Sequence, residues 1–158
     1  MALAIYRKYR PATFDALLGQ ELTVRILKEA AKTGNLAHAY LFAGPRGTGK
    51  TTTARLIAKI ANCETRTSDE KFRAKGEPCN QCAACRGIDE GNFLDVMEID
   101  AASNRGIDDI RDLKTNLRAA PSMGRSKVII FDEAHQLSKD AWNALLKTLE
   151  EPPAQVII

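Results

Sequence analysis

The segment Gly44-Pro-Arg-Gly-Thr-Gly-Lys-Thr51 constrains this chain more than any other. It fits G-x-x-x-x-G-K-[ST] in full, between an apolar run, Ala39-Tyr-Leu-Phe-Ala43, and a stretch of helical spacing from Lys50 to Asn62. Glycines let such a loop wrap its backbone N–H groups around phosphate oxygens without Cβ clashes. The following helix adds the positive end of its dipole. Lys50 is placed to reach the β- and γ-phosphates of ATP, and Thr51 to set its hydroxyl on Mg²⁺. The phosphate-contacting set is Gly44, Pro45, Arg46, Gly47, Thr48, Gly49, Lys50 and Thr51, with Thr52 next on the helix. The alternative is a glycine-rich turn that merely starts a helix.

Around this loop, short apolar runs alternate with longer amphipathic stretches. Ala39–Ala43, Phe93–Ile99, Lys127–Phe131 and Gln155–Ile158 are expected as strands, the first of them buried. Helices are expected over Glu21–Lys32, over Lys50–Asn62 with Ala54, Ile57, Ala58 and Ala61 on one face, and over Ile107–Leu117. A last helix follows the N-cap Ser138 and carries Trp142, Leu145, Leu146 and Leu149, ended by Pro152 and Pro153. Strand–helix alternation of this kind implies an α/β fold, a parallel sheet with helices on both faces. The final strand has no helix after it, so the chain reads as truncated.

A second element supports the first. Asp132 and Glu133 follow the apolar run Lys127-Val-Ile-Ile-Phe131, at the end of a strand expected beside the phosphate loop. Asp132 would hold Mg²⁺ through water, and Glu133 would polarise the attacking water. Such a pair on its own is a solvated turn. His135 could orient this pair, or simply pack or face solvent.

All four cysteines fall at Cys63, Cys79, Cys82 and Cys85, the pattern C-x15-C-x2-C-x2-C. Close pairs at this spacing let thiolates converge on one ion, and Zn²⁺ suits four sulfurs. Two disulfides or an iron–sulfur cluster are the other readings. A reducing compartment disfavours the first, and the flanking pattern of the bacterial ferredoxin type is absent. Four protein ligands close the site, so the metal would fasten the polar segment Glu64–Pro78 rather than react.

Composition sets the outer limits. The 158 residues are 44% hydrophobic and 27% charged, enough for one well-buried domain. No apolar run approaches the ~20 residues of a membrane span. The first ten residues place their basic side chains after the apolar ones, the reverse of a secretory signal, so the cytoplasm is expected. A net charge of +3 permits nucleic-acid binding without arguing for it.

Arg7-Lys-Tyr-Arg-Pro-Ala-Thr-Phe14, Gly19-Gln20, His38-Ala-Tyr-Leu-Phe42, the phosphate loop, the four-cysteine insertion, Glu98-Ile-Asp-Ala-Ala-Ser103 and Asn143-Ala-Leu-Leu-Lys-Thr-Leu-Glu-Glu-Pro-Pro153 appear in order. Together they resemble the tau/gamma subunits of bacterial DNA polymerase III, the AAA+ ATPase motors of the clamp loader. The one departure is the long gap between Cys63 and Cys79. The resemblance covers essentially the whole chain. It implies an AAA+ nucleotide-binding domain over residues 1–158, truncated before the last strand and lid, with an inserted zinc module at 63–90. It implies ATP, Mg²⁺ and Zn²⁺ as cofactors, Lys50 and Glu133 as catalytic residues, and Arg7, Arg10 and Pro11 along the adenine side of the pocket. The alternative for Arg7–Pro11 is a basic surface arm.

The implied partners are the other clamp-loader subunits, one of which supplies an arginine finger in trans, the sliding clamp, and primed DNA. Asn104, Arg105, Ser138 and Lys139 resemble places where these motors track the DNA backbone, although capped, solvated helix starts would look the same. The family's finger, sensors and lid correspond to sequence after Ile158, so this segment alone is expected to hydrolyse ATP very slowly. A branch-migration motor would share the loop and acidic pair but not the cysteine insertion. A non-catalytic clamp-loader subunit would have lost Lys50 or Thr51.

Overall fold

Three of the apolar runs form a parallel sheet in the order β1–β2–β3: β1 is Val96–Asp100, β2 Lys127–Asp132 and β3 Val156–Ile157. The structure is a computed structural model. It describes residues 9–104 and 106–158, so Arg7, Lys8 and Arg105 lie outside the described residues. The register pairs Val96 with Val128 and Asp100 with Asp132, and Val128 with Ile157. Lys127, Val128, Ile129 and Ile130 are all buried, as in a parallel strand covered on both faces.

The described chain divides into two units. One comprises Ala37–Phe42 with Glu90–Ile158, and the other the described residues through Leu36 with Ala43–Asp89.

In the sheet unit, α6 (Ile107–Leu117) and α7 (Lys139–Glu150) pack on one face. Ile110, Leu113 and Leu117 recur at helical spacing and meet Ile129, Val156, Ala141 and Leu145 in a single apolar cluster. Fully burying side chains of this size is worth about 1.5–3 kcal/mol each. Ser138 caps α7 as expected, its Oγ accepting from Ala141 N at 3.1 Å. Leu146 is 49% exposed because it points off the buried stripe.

The largest departure from the expected strand bounds is in β1. β1 starts at Val96 rather than Phe93, because Phe93 O accepts from Val96 N in a turn and leaves Leu94 71% exposed. Asp95 secures that turn: its carboxylate accepts from Ser122, Met123 and Gly124 N at 2.8, 2.6 and 2.6 Å.

The run Ala39–Ala43 is not a buried strand. Tyr40 N donates to Ile158 O at 2.8 Å and Ile158 N to His38 O at 2.9 Å, a parallel alternation that does not extend. Leu41 is 88% exposed. The segment lies beside β3, so the strand ending at Asp132 is not its direct neighbour, contrary to expectation. An apolar run carries no information about which strand lies between two others.

In the other unit, α1 is Glu21–Thr33 and α2 is Lys50–Asn62. Helix α1 ends in a glycine cap: Gly34 at φ 76 lets the amides of Gly34 and Asn35 reach Ala31 O and Ala30 O. Helix α2 buries Ile57 and Ala58 of the expected face together with Thr53, Leu56, Lys59, Ile60 and Asn62, while Ala54 and Ala61 are half-buried. Sequence spacing gave the helix and part of its buried face. Three further helices, α3 (Glu64–Ser68), α4 (Glu70–Arg73) and α5 (Ala83–Glu90), occupy the cysteine insertion, where none was expected.

Candidate functional site

The phosphate loop takes the shape its glycines allow. Gly47 and Gly49 lie at φ 84 and 88, a region costly for side-chain-bearing residues, and Gly49 is the N-cap of α2. The helix begins at Lys50, so its first amides have no acceptor within the helix. Lys50 Nζ donates to Gly44 O at 2.9 Å and Pro45 O at 2.8 Å, and Thr48 Oγ1 donates to Pro45 O at 2.9 Å. The loop thus closes on itself around the ammonium. Thr51 and Thr52 stand half-buried in the first turn of α2, and Arg46 is exposed. Arg10 and Pro11 are half-buried in the same unit.

Asp132 and Glu133 belong to the sheet unit. Asp132 ends β2, and Glu133 follows it at φ 52, ψ 42, a left-handed conformation that costs a non-glycine residue about 1 kcal/mol or more. Asp132 Oδ1 accepts from Glu133 N at 3.0 Å. His135 Nδ1 stands 3.5 Å from Glu133 Oε2, with Gln136 Nε2 3.0 Å from His135 Nε2. His135 therefore flanks the acidic pair.

Of the residues expected to follow DNA, Asn104 and Ser138 are held by the fold. Asn104 Nδ2 donates to Asp100 O at 3.1 Å, and Asp109 Oδ2 accepts from Gly106 N at 3.1 Å at the start of α6. Ser138 is the cap described above, and Lys139 is exposed in the first turn of α7.

The four cysteines meet. Their Sγ atoms all lie within 4.8 Å of one another, and Cys79 Sγ is 3.9 Å from Cys85 Sγ. Sulfurs bound at ~2.3 Å to one tetrahedral ion stand about 3.8 Å apart, so the donor set fits a single metal and leaves no disulfide. Backbone amides address the sulfurs as in a metal knuckle: Gln81 and Cys82 N donate to Cys79 Sγ at 3.4 and 3.3 Å, and Cys85 N to Cys82 Sγ at 3.4 Å. Asn80 makes the turn at φ 58. A hydrogen bond from the Cys85 thiol draws the Cys63 pKa down to about 4, and the same bond with burial pushes Cys85 well above the usual thiol range. Burial also pushes the Cys82 thiol up, while at Cys79 burial is outweighed by hydrogen bonds that hold it below its ordinary range, so the thiols divide between the two directions.

Supporting residues escaped the sequence reading. Lys59 on α2 is 2% exposed, its Nζ 3.0 Å from Asn80 Oδ1 and 2.6 Å from Asp89 Oδ2. Arg66 is 6% exposed and donates to Ala31 O at 2.5 Å, Arg73 O at 3.2 Å and Glu77 O at 3.3 Å. A charged residue in a polar stretch gives no local sign that it will be buried.

The family model described as "DNA polymerase III, delta subunit" matches residues 19–158. The chain is 52% identical over 154 residues to DNA polymerase III subunit tau of Bacillus subtilis, covering 98% of this chain and 26% of that protein. It is 49% identical over 150 residues to subunit tau of Escherichia coli K12, covering 95% and 22%. With subunit gamma of Buchnera aphidicola subsp. Baizongia pistaciae the identity is 42% over 150 residues, covering 95% and 39%. The chain thus spans about a quarter of the tau relatives it matches. No described helix is long and apolar enough to cross a membrane. On its matching model, the parallel α/β sheet and these likenesses, the chain belongs to the DNA polymerase III delta-subunit family, close in sequence to the tau and gamma subunits.

Proposed function

We propose that this chain is the nucleotide-binding domain, residues 1–158, of an ATP-driven motor subunit of the bacterial replicative clamp loader. In that role it uses ATP to load the sliding clamp on primed DNA alongside other subunits of the DNA polymerase III holoenzyme, in the cytoplasm. One observation carries the reading: an intact phosphate loop, Gly44–Thr51, shaped by left-handed glycines at the start of α2, in a chain about half identical to tau subunits.

Gly44–Thr52 take the phosphates, with Arg10 and Pro11, and Arg7 before them, along the adenine. Lys50 meets the β- and γ-phosphates. Thr51 and Asp132 would hold Mg²⁺, which when bound neutralises phosphate charge. Glu133 orients and polarises the attacking water, and its fixed left-handed backbone supports a carboxylate held in one direction. Cys63, Cys79, Cys82 and Cys85 would hold Zn²⁺ with no open position, so residues 63–90 act as a structural module. Asn104, Arg105, Ser138 and Lys139 are the candidate DNA-backbone contacts, the last two at a helix start that suits phosphate.

Titration of the chain with Mg·ATP tests the core of this proposal. Saturable binding is expected, and Lys50→Ala should weaken it at least tenfold while the circular dichroism spectrum is unchanged. Binding of equal strength in that variant would overturn the assignment of the loop.

A further inference from the structure

The segment between Cys63 and Cys79 makes several long-range polar contacts within its unit. Glu77 Oε2 accepts from Phe14 N at 2.8 Å, Glu77 Oε1 accepts from Asp15 N at 3.1 Å, and the same carboxylate lies 3.2 Å from Lys28 Nζ. Lys28 is shared with Asp15 at 2.7 Å. Arg66 reaches Ala31 O at the end of α1 and Glu77 O within the segment. At Gly76 the backbones approach so closely that a Cβ would stand 2.8 Å from Lys28 O. The segment is therefore bound at Arg66, Gly76 and Glu77 to residues 14–31, and it ends at Cys79 of the four-cysteine cluster.

The residues it holds touch the phosphate loop. Phe14 is 1% exposed and accepts from Leu17 N at 3.0 Å, which fixes a single turn. Leu17 Cδ2 lies where a Cβ on Gly49 would come within 3.3 Å of it, so Leu17 abuts the N-cap of the helix that carries Lys50 and Thr51. From the other side, Lys59 of the same helix is hydrogen-bonded to Asn80 inside the cysteine knuckle.

We propose that Glu77 is a positioning residue for the nucleotide site: through Phe14–Leu17 it transmits the order of the four-cysteine centre to Gly49, so that metal binding and nucleotide binding are coupled. This rests on the phosphate loop being a nucleotide site, as proposed above. The physical basis is that the polar segment has little apolar surface of its own. Without the metal its ends are released, and the carboxylate loses the backbone that aims it at two amides. Coupling is reciprocal, so saturating nucleotide must tighten metal binding at equilibrium by the factor by which metal tightens nucleotide.

The test is a cycle on the chain, by calorimetry with Mg·ATP as the probe. Glu77→Ala and chelator-stripped wild type should each weaken binding about tenfold, within the usual range of coupling between sites. Stripping Glu77→Ala should add less than twofold, since both changes cut the same path. Glu77→Gln, which keeps an acceptor for one amide, should fall between. Metal content in Glu77→Ala must stay at one ion per chain. Faster amide exchange should be confined to Phe14–Leu17 and the start of α2, a pattern that general destabilisation does not give. Should Glu77→Ala fail to fold, Glu77→Gln and the stripped wild type carry the cycle. Wild type that binds no Mg·ATP sinks the nucleotide site and this proposal with it. Wild type that binds while the substitutions and stripping change affinity less than twofold, or additive effects, sink the coupling alone.

Discussion

Around the sheet, Ile110, Leu117, Ile129 and Leu145 are each at most 2% exposed, and apolar side chains from two helices and three strands make one cluster. Between Cys63 and Glu90, by contrast, the buried groups include Cys63, Arg66 and Cys85, and Ile88 is the only large aliphatic among them. The first region is held by removal of apolar surface from water, a force that needs volume and tolerates exchange of similar side chains. The second is held by directed bonds, namely four sulfurs aimed at one point and a guanidinium spread over three carbonyls. Directed bonds can stabilise a piece too small for a core of its own, but they fail together when one participant is lost.

That contrast can be broken most forcefully by removing metal. Stripping the cysteine centre should abolish amide protection across residues 63–90, because a site absent from the unfolded chain makes metal binding part of the folding free energy. Protection of α6, β2 and α7 should be unchanged. Equal protection in both regions with and without chelator, followed by hydrogen-exchange mass spectrometry, would show that the insertion has an adequate core without metal. Leu145→Ala makes the opposite cut: it should cost about 2–5 kcal/mol in denaturant unfolding of the sheet unit while metal content stays the same.

Asp95 offers the smallest and most discriminating effect, because it is a directed contact placed inside the apolar region. Burial raises its pKa, but the amides of Gly124, Ser122 and Met123, with the charge of Lys127, outweigh this and hold it below the ordinary carboxylate range. A carboxyl whose folded pKa is depressed contributes stability that is complete above its unfolded value near 3.8 and is lost as pH falls through the folded value. Asp95→Asn should therefore cost about 1–3 kcal/mol at pH 7, by loss of charge-assisted bonds, and the difference from wild type should shrink at the acid end of the unfolding profile. A pH-independent difference would mean that the carboxylate merely fills space.

Much of this was legible in the chain. The bounds of α2 and α6 follow from spacing and punctuation alone, since periodic apolar residues and glycines act locally. The convergence of the cysteines was also legible, because only a narrow set of geometries serves C-x2-C-x2-C. The face that α2 buries was legible only at Ile57 and Ala58, since small residues such as Ala54 and Ala61 satisfy a stripe as well as Leu56 and Ile60 do. Nor were the helices of the insertion, whose polar residues are ordered by partners distant in sequence.

The sequence by itself determined the glycine-rich loop at the start of α2, the convergence of the four cysteines and the parallel α/β class, because each depends on residue type at short spacing. Only the tertiary structure decided that β3 lies between β2 and the segment before the loop, that Glu77 and Arg66 clasp residues 14–31, and that Leu17 rests on Gly49. Those outcomes are contacts across tens of residues. They are chosen by which packing satisfies buried charges and backbone groups at once, a condition that no local pattern encodes.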